Sequence, residues 1–174
     1  IEKLLGKFIK NVFLIIEHKK INSVCFSIKK KNYQEFINKK HLENLLTDAK
    51  DIYKENYQDE KIMHIMIDKY VVDEEKFTFF QNNFMGENFC LELKFISIPI
   101  LLTNEIEKVL EKYHIKISSY ISGDYVKNLF KEEKIELTEM VYKVRNGFNA
   151  NEAVIVPKNS KKTGFFEKFF QLFG

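Results

Sequence analysis

The sequence is poor in several residue types that define common classes of protein. It has no Trp, two Cys, two Pro and six Gly, and Arg145 is its only Arg. Two Cys cannot make a disulfide framework or a four-Cys zinc site, and they fit a reduced, cytosolic compartment. So few Pro and Gly exclude a collagen-like or linker-rich chain. No run of about 20 apolar residues is present, which argues against a membrane-spanning helix.

The scarcity of Arg also bears on partners. Duplex readers use Arg for bidentate contacts to base edges, so one Arg argues against nucleic-acid recognition. Lys is abundant together with Asn, Ile and Phe, a composition that an AT-rich genome produces, and the net charge is only +3. The Lys content is therefore weak support for nucleic-acid binding, and we predict no nucleic-acid partner.

The chain nevertheless has enough apolar material for a core. Its 174 residues are 45% hydrophobic and include 17 Phe and 8 Tyr. This length fits one domain with a small appendage. The sequence starts with Ile rather than Met, so it can be a piece of a longer protein. Residues 1–17 carry charges throughout and lack a small-residue cleavage site, so no signal peptide is predicted.

Hydrophobic spacing predicts an α+β fold: a small antiparallel or mixed sheet with helices packed on one face, plus a C-terminal amphipathic helix. Helices are predicted for residues 1–17, 41–57, 103–113 (with Thr103 as the cap), 125–131 and 137–145. Strands are predicted for residues 21–30, 61–73, 88–98 and 115–121. Residues 74–87 are predicted to be a connecting loop.

A helix formed by the last eleven residues would be amphipathic. One face carries only Leu and Phe side chains: Phe165, Phe166, Phe169, Phe170, Leu172 and Phe173. Lys161, Lys162 and Lys168 lie beside this face or before it, and residues 158–163 read as a basic linker. A short, aromatic, cation-flanked helix is typical of an interfacial membrane anchor. Two alternatives stay open: the helix docks on the chain's own core, or it binds in a groove of a partner protein.

The segment from Leu42 to Ile117 resembles the inserted subdomain of FtsA, the actin-like bacterial cell-division protein. The most specific piece is the run HIMIDKYVVD, in which His64, Tyr70, Val72 and Asp73 fall at the matching positions. FMG, residues 84–86, resembles part of the following loop. The family commonly has Pro where this chain has Met66. A linker and a terminal amphipathic helix also end the FtsA family.

The resemblance implies a divisome adaptor that tethers division proteins to the cytoplasmic face of the membrane. Its partners would be an FtsZ-like polymer or late division proteins, an anionic membrane surface, and further copies of itself. The implied domains are residues 1–121, with the inserted subdomain at about 41–121, then a reduced remnant or helical extension at 122–157, the linker, and a membrane-targeting helix at 164–174.

The ATPase of the family is not expected here. The chain has no Gly-Gly, GxG or Asp-x-Gly, and phosphate cradles need closely approaching backbone N–H groups that Gly permits. Ser122 stands where a family glycine would begin the second nucleotide segment. We therefore predict no enzyme activity, no catalytic or metal-binding residues and no cofactor. A soluble cytoplasmic protein-binding module is the alternative function.

Four apolar residues of the 74–87 loop, namely Phe79, Phe80, Phe84 and Met85, are either core or a protein-interaction patch. His64 is expected to be a core histidine rather than a ligand. Cys25 and Cys90 lie in strand patterns and are expected to be buried thiols. The basic runs Lys29–Lys31 and Lys39–Lys40 are expected to be solvated rather than to touch phosphates or lipid headgroups.

Overall fold

The computed structural model describes residue 6 and residues 8–31, 36–82 and 84–153. Strands and helices are mixed in these residues, which confirms the predicted α+β class. The strands are β1 (Asn11–Ile16), β2 (Asn22–Lys31), β3 (Glu60–Val72), β4 (Glu75–Phe77), β5 (Asn88–Pro99) and β6 (Lys116–Ser122). The helices are α1 (Lys39–Asn56), α2 (Ile100–Glu111), α3 (Gly123–Leu129) and α4 (Leu137–Arg145).

The strands form two sheets, where the sequence suggested one. Strands β1 and β6 pair in parallel as a two-stranded sheet, with a register shift between Val12 and Phe13. The other sheet has four strands in the order β2-β5-β3-β4. Strands β3 and β4 are antiparallel, with Val72 opposite Glu75.

The chain divides into two compact units. The first unit comprises the described parts of Ile1–Asn22, Asp59–Met63 and Ile96–Asn146. The second unit comprises the described parts of Ser23–Gln58, His64–Phe95 and Gly147–Gly174. Each has its own set of buried apolar side chains, and the residues of the FtsA resemblance discussed below lie in the second unit.

Helix α1 confirms the predicted helix at 41–57. Its buried side chains follow a helical repeat: Leu42, Leu45, Leu46, Ala49 and Tyr53. Asn38 caps the N-terminus by accepting a hydrogen bond from the backbone N–H of His41 at 3.2 Å. The His41 side chain accepts a bond from the Asn38 N–H in return, so two otherwise unpaired donors of the helix start are satisfied.

In the second unit, α1 packs on one face of the four-stranded sheet. The Phe95 ring stacks on Tyr53 of α1, with ring centroids 4.5 Å apart. On its neighbouring strand it stacks on Phe26, at 5.0 Å. Phe95 is fully buried.

Helices α3 and α4 belong to the first unit and contribute side chains to its core. Its buried apolar side chains include Ile121, Val126, Phe130, Val141 and Val144. These helices confirm the predicted ones at 125–131 and 137–145 within a few residues at each end.

Three local predictions are wrong. The helix predicted for residues 1–17 is wrong for its second half, because residues 11–16 are strand β1, while residues 1–5 and 7 lie outside the described residues. This segment is a run of branched and aromatic residues, and such short apolar runs cannot be assigned by periodicity alone. Pairing with β6 decides its conformation.

The start of α2 and the 74–87 loop also differ from the predictions. Thr103 was expected to cap α2, but the helix begins at Ile100, after Pro99. Thr103 is fully buried and its hydroxyl donates to the backbone oxygen of Ile100 at 2.9 Å. The predicted loop contains β4, which pairs with the end of β3.

Candidate protein-interaction site

A two-residue turn joins β3 to β4 and organises the site. Asp73 and Glu74 have φ angles of 44° and 77°, and hairpin turns of this length favour positive φ at both positions. The Asp73 carboxylate accepts hydrogen bonds from the backbone N–H groups of Glu87 at 2.9 Å and Asn88 at 2.8 Å. These two bonds hold the pKa of Asp73 below its ordinary value. The turn therefore holds the start of β5 through an ionised side chain.

Position 86 requires glycine because its backbone lies very close to this turn. A Cβ atom at Gly86 would lie 2.5 Å from Oδ2 of Asp73 and 2.6 Å from Cγ1 of Val72. Both distances are shorter than real Cβ contacts, so a larger residue would displace the carboxylate or the valine. The FMG loop and the VVD end of the HIMIDKYVVD run are thus in direct contact.

An aromatic cluster packs beneath the turn. Phe84 is its centre, with ring centroids 4.7 Å from Phe77, 5.6 Å from Phe80 and 6.4 Å from Tyr70 and Phe89. Phe84 is 4% exposed and Tyr70 is fully buried. Burial raises the pKa of the Tyr70 phenol. The cluster anchors the loop to the sheet.

Three apolar side chains near this cluster remain exposed. Phe79 is 58%, Met85 56% and Phe36 62% exposed. Phe36 and Met85 are opposite each other in an isolated antiparallel bridge, supported by a 2.8 Å hydrogen bond from the Ile37 N–H to the Phe84 oxygen. Cross-strand partners lie side by side, so these two form a small apolar patch.

An open depression of about 560 Å³ adjoins the patch. Its lining mixes carboxylate, amide and apolar side chains: Val72, Asp73, Glu75, Phe77, Gln81, Phe84 and Met85. Two acidic residues beside apolar groups suit a partner segment that presents a basic and an apolar side chain together. An arrangement of this kind can bind such a segment.

The structure places the four predicted interaction residues in one loop but gives them different environments. Phe80 and Phe84 are core residues, whereas Phe79 and Met85 are exposed. The sequence analysis does not single out Phe36, because the segment around it has no periodic apolar pattern. We define Phe36 and Met85 as the apolar patch.

The C-terminal part of the described chain is fastened to β3. The backbone N–H of Ile67 donates to the Asn151 oxygen at 2.9 Å, and the N–H of Ala153 donates to the Ile65 oxygen at 2.8 Å. Nδ1 of His64 lies 2.6 Å from Oε1 of Glu152, and both side chains are nearly buried. We call these contacts the β3 clasp. The prediction that His64 is a core histidine is confirmed.

Tyr70 shares in the same attachment. Its hydroxyl lies 3.4 Å from Oδ1 of Asn151, whose Nδ2 donates to the Thr78 oxygen at 2.8 Å. His64, Tyr70 and Asp73, which carry the resemblance, therefore each hold another segment onto β3.

The first unit has a separate polar cluster on β3, α2 and β6. Nζ of Lys61 lies 2.5 Å from Oε1 of Glu107 and 4.8 Å from the centre of the Tyr120 ring. The Tyr120 hydroxyl also donates to Glu107. The hydrogen bond from Lys61 lowers the pKa of Glu107, while burial raises that of Tyr120. Every charged group here is paired, which is typical of a structural cluster.

Ser122 and Gly123 are at the start of the segment that the FtsA resemblance would assign to nucleotide binding, and the Glu17 side chain lies against Gly123. Ser122 caps α3 by accepting a bond from the Tyr125 N–H at 3.3 Å. A Cβ at Gly123 would lie 2.5 Å from the Glu17 side chain, whose Oε1 is 2.6 Å from Nζ of Lys127. The Glu17 side chain therefore fills the space beside Gly123, and its carboxylate is paired with Lys127.

The predicted membrane-binding residues lie outside the described residues: Lys161, Lys162, Phe165, Phe166, Lys168, Phe169, Phe170, Leu172 and Phe173. Within the part of the chain that is described, no helix is long and apolar enough to cross a membrane. Among those same residues, no group of three or more His, Cys, Asp or Glu is arranged to hold a metal ion. No protein-family model matches the sequence, and no curated protein is significantly similar to it.

Proposed function

We propose that this protein is a membrane-tethered adaptor of bacterial cell division, similar in role to FtsA. The observation that carries the proposal is the connection between the residues of the resemblance. Asp73 and Gly86 are in contact, and His64 and Tyr70 both reach the segment 151–153. The residues of the run and of the FMG loop thus all make specific contacts within the second unit, which supports taking them as parts of one motif.

The apolar patch and the neighbouring depression are the proposed contact for a division protein. Phe36 and Met85 offer an exposed apolar pair, and Asp73 and Glu75 add negative charge at the rim. Met and aromatic residues are enriched at protein interfaces. An FtsZ-like polymer, a late division protein or a second copy of this chain is the proposed partner, and its contacting segment would be basic and apolar.

The proposed membrane contact is the tail, residues 164–174, on the cytoplasmic face of the membrane. Its sequence places five Phe on one side of a helix, with Lys161, Lys162 and Lys168 nearby. Burying each ring contributes about 1.5–3 kcal/mol before the helix is ordered. Basic residues add about 1 kcal/mol each at an anionic leaflet. One such helix binds reversibly, and assembly on a polymer would strengthen it through avidity.

The proposed mechanism is binding without chemistry. The Glu17 side chain fills the space beside Gly123, where the resemblance would place the approach of a phosphate, and the first unit's polar cluster is internally paired. We therefore propose no enzyme activity and no nucleotide cofactor.

Vesicle co-sedimentation tests the membrane part of the proposal. The intact chain should pellet with anionic vesicles, whereas a deletion of residues 164–174 and the double variant Phe166→Asp/Phe169→Asp should stay in the supernatant. Circular dichroism should show that all forms keep their secondary structure. If no form pellets and the deletion lowers the melting temperature, the tail is a core helix, and the alternative of a soluble binding module replaces the adaptor.

Recruitment of a partner tests the protein contact. Purified FtsZ-like polymer, or a peptide from a late division protein, should co-pellet with the vesicle-bound chain. Met85→Asp should weaken this recruitment because it places a charge in the apolar patch. The matched control is Leu101→Asp, since Leu101 is 71% exposed and belongs to the first unit. Equal recruitment by both variants would refute the assignment of the patch.

A further inference from the structure

The four-stranded sheet has one face that α1 does not cover. Side chains of β5 alternate between the two faces, as in any strand. Phe89, Leu91, Leu93 and Phe95 are buried on the α1 side. Cys90, Glu92 and Lys94 point the other way and are half-buried. Among the described residues, the face of β5 opposite α1 is therefore polar from Cys90 to Lys94, whereas Ile96 and Ile98, further along the strand, are buried.

Contacts between strands show which neighbouring side chains share this face. Phe26 of β2 stacks on Phe95, which is on the α1 side, so Ser27 and Lys29, which alternate with Phe26 along the strand, point to the same face as Cys90. Nζ of Lys76 in β4 lies 2.7 Å from Oε1 of Glu92. These contacts run from the β2 edge of the sheet to the β4 edge.

Strand β3 contributes to the same face. Val71 is opposite Lys76 in the ladder, so the two side chains lie on one side. Lys69 is two residues before Val71 and points in the same direction. The expectation that both cysteines are buried is wrong. Cys25 is exposed on this face, two residues before Ser27, and Cys90 is only half-buried. Edge position explains the exposure of Cys25, because β2 has a neighbour strand on one side only.

The charge on this face is mainly positive. Four lysines and one glutamate lie on it, namely Lys29, Lys69, Lys76, Lys94 and Glu92, and the Asp73 carboxylate in the β3–β4 turn acts on Lys29 electrostatically. Only Lys76 pairs with the glutamate. Lys29, Lys69 and Lys94 form no ion pair with any residue of the described ranges. We call the four lysines and Glu92 the lysine face. The mainly positive charge calls for an anionic partner.

The composition of the lysine face selects among anionic partners. Single-stranded nucleic acid on a sheet needs aromatic side chains for stacking, and the uncovered side chains identified here are Lys, Glu, Cys, Ser and Val. Specific protein interfaces are depleted in Lys and use aromatic or Arg anchors, which are likewise missing from these residues. Clustered lysines without a pocket are what an anionic bilayer surface attracts. A sheet face is also broad and shallow enough to lie on a bilayer.

We propose that the lysine face is a second membrane contact, which lies on the headgroups of an anionic bilayer. For Lys29 this proposal replaces the expectation from sequence that the run Lys29–Lys31 is only solvated. It rests on the proposed membrane tether and deepens it: the tail inserts apolar groups, and the lysine face adds an electrostatic contact. Because screening weakens exposed charges, the contribution of the lysine face falls as salt rises, whereas that of buried Phe rings does not.

The first test compares two charge-matched triple variants of the full chain. Lys29→Gln/Lys69→Gln/Lys94→Gln should bind phosphatidylglycerol vesicles at low salt about a hundredfold more weakly, at roughly fivefold per lysine. The control, Lys40→Gln/Lys50→Gln/Lys54→Gln, removes the same charge from α1 on the covered side. It should change binding by less than about threefold, because the sheet and helix separate it from the bilayer by about a Debye length.

The second test uses the thiol of Cys25, on the same side of the sheet as the lysine face, as a reporter. In a Cys90→Ser variant, Cys25 is the remaining thiol and is exposed. Phosphatidylglycerol vesicles should slow its alkylation by a neutral maleimide, and phosphatidylcholine vesicles should not. Binding through the tail alone would leave the alkylation rate unchanged.

The outcomes separate the two proposals. If the tail deletion abolishes binding while both triple variants bind like the parent and Cys25 stays reactive, the lysine face is refuted and the tether stands. If no form binds vesicles, both fail. Circular dichroism of each variant excludes misfolding as the cause of a loss.

Discussion

Truncation of Phe95 tests the packing of the second unit. Phe95 is fully buried between Tyr53 and Phe26, with interplanar angles of 6° and 17°. Replacing a buried Phe by Ala costs about 3–5 kcal/mol, through lost burial and the cavity left behind. Each stacked pair is worth about 0.5–1.5 kcal/mol beyond its buried area, which places Phe95→Ala in the upper part of that range. Since domains are stable by about 5–15 kcal/mol, much of the stability would be lost.

Urea unfolding followed by circular dichroism measures this effect. The chain has no Trp, so backbone ellipticity is the better signal. Phe95→Leu keeps apolar volume but removes the stacking, and should cost about 1–2 kcal/mol. Phe79→Ala is the surface control and should cost less than about 0.5 kcal/mol. A loss below about 1.5 kcal/mol for Phe95→Ala would refute the conclusion that α1 packs on this ring, since buried Phe truncations exceed that value.

Three further predictions concern the turn and the β3 clasp. Gly86→Ala should destabilise the fold by about 1–3 kcal/mol, read as a lower urea midpoint, because the new methyl group overlaps Asp73; an unchanged midpoint would contradict the close approach. The pKa of Asp73 is below its ordinary value of 3.8, so its ionised form stabilises the fold above about pH 4 and this contribution is lost as the pH falls through the folded pKa. The parent chain should therefore lose more stability on acidification than Asp73→Asn, and parallel pH profiles would count against this. Glu152→Ala removes the carboxylate next to His64 and should speed hydrogen exchange of the Ala153 amide by at least about tenfold, with the interior of α1 as the unaffected reference.

The elements that the sequence predicted best are those whose apolar pattern matches their burial. In α1 the buried residues Leu42, Leu45, Leu46, Ala49 and Tyr53 follow a helical repeat, and in β5 the alternation is regular. In strand β1 the apolar residues are consecutive, so they fit both the 3.6-residue repeat of a helix and the two-residue repeat of a strand, and the sequence wrongly predicts a helix. Its conformation is decided by a partner strand about 100 residues away, which no local pattern reveals.

The candidate site, too, could be predicted only in part from the sequence. Sequence reasoning found the apolar loop residues, but a loop has no periodicity that would separate buried Phe80 and Phe84 from exposed Phe79 and Met85. The β3 clasp was not predicted because His64 and Glu152 are 88 residues apart. The lysine face was missed for a similar reason: its charges come from four strands, and each strand alone shows only one or two of them.

The β3 clasp also determines how the protein responds to mechanical load. Residues 154–174 follow Ala153 in the chain, so a pull on them first reaches the hydrogen bonds at Ala153 and Asn151. A pull along β3 would load both hydrogen bonds at once, in shear, and would need more force than a pull across the strand. A pull across β3 opens them one after the other, at a much lower force. The direction of tension would thus decide whether the attachment holds or peels away.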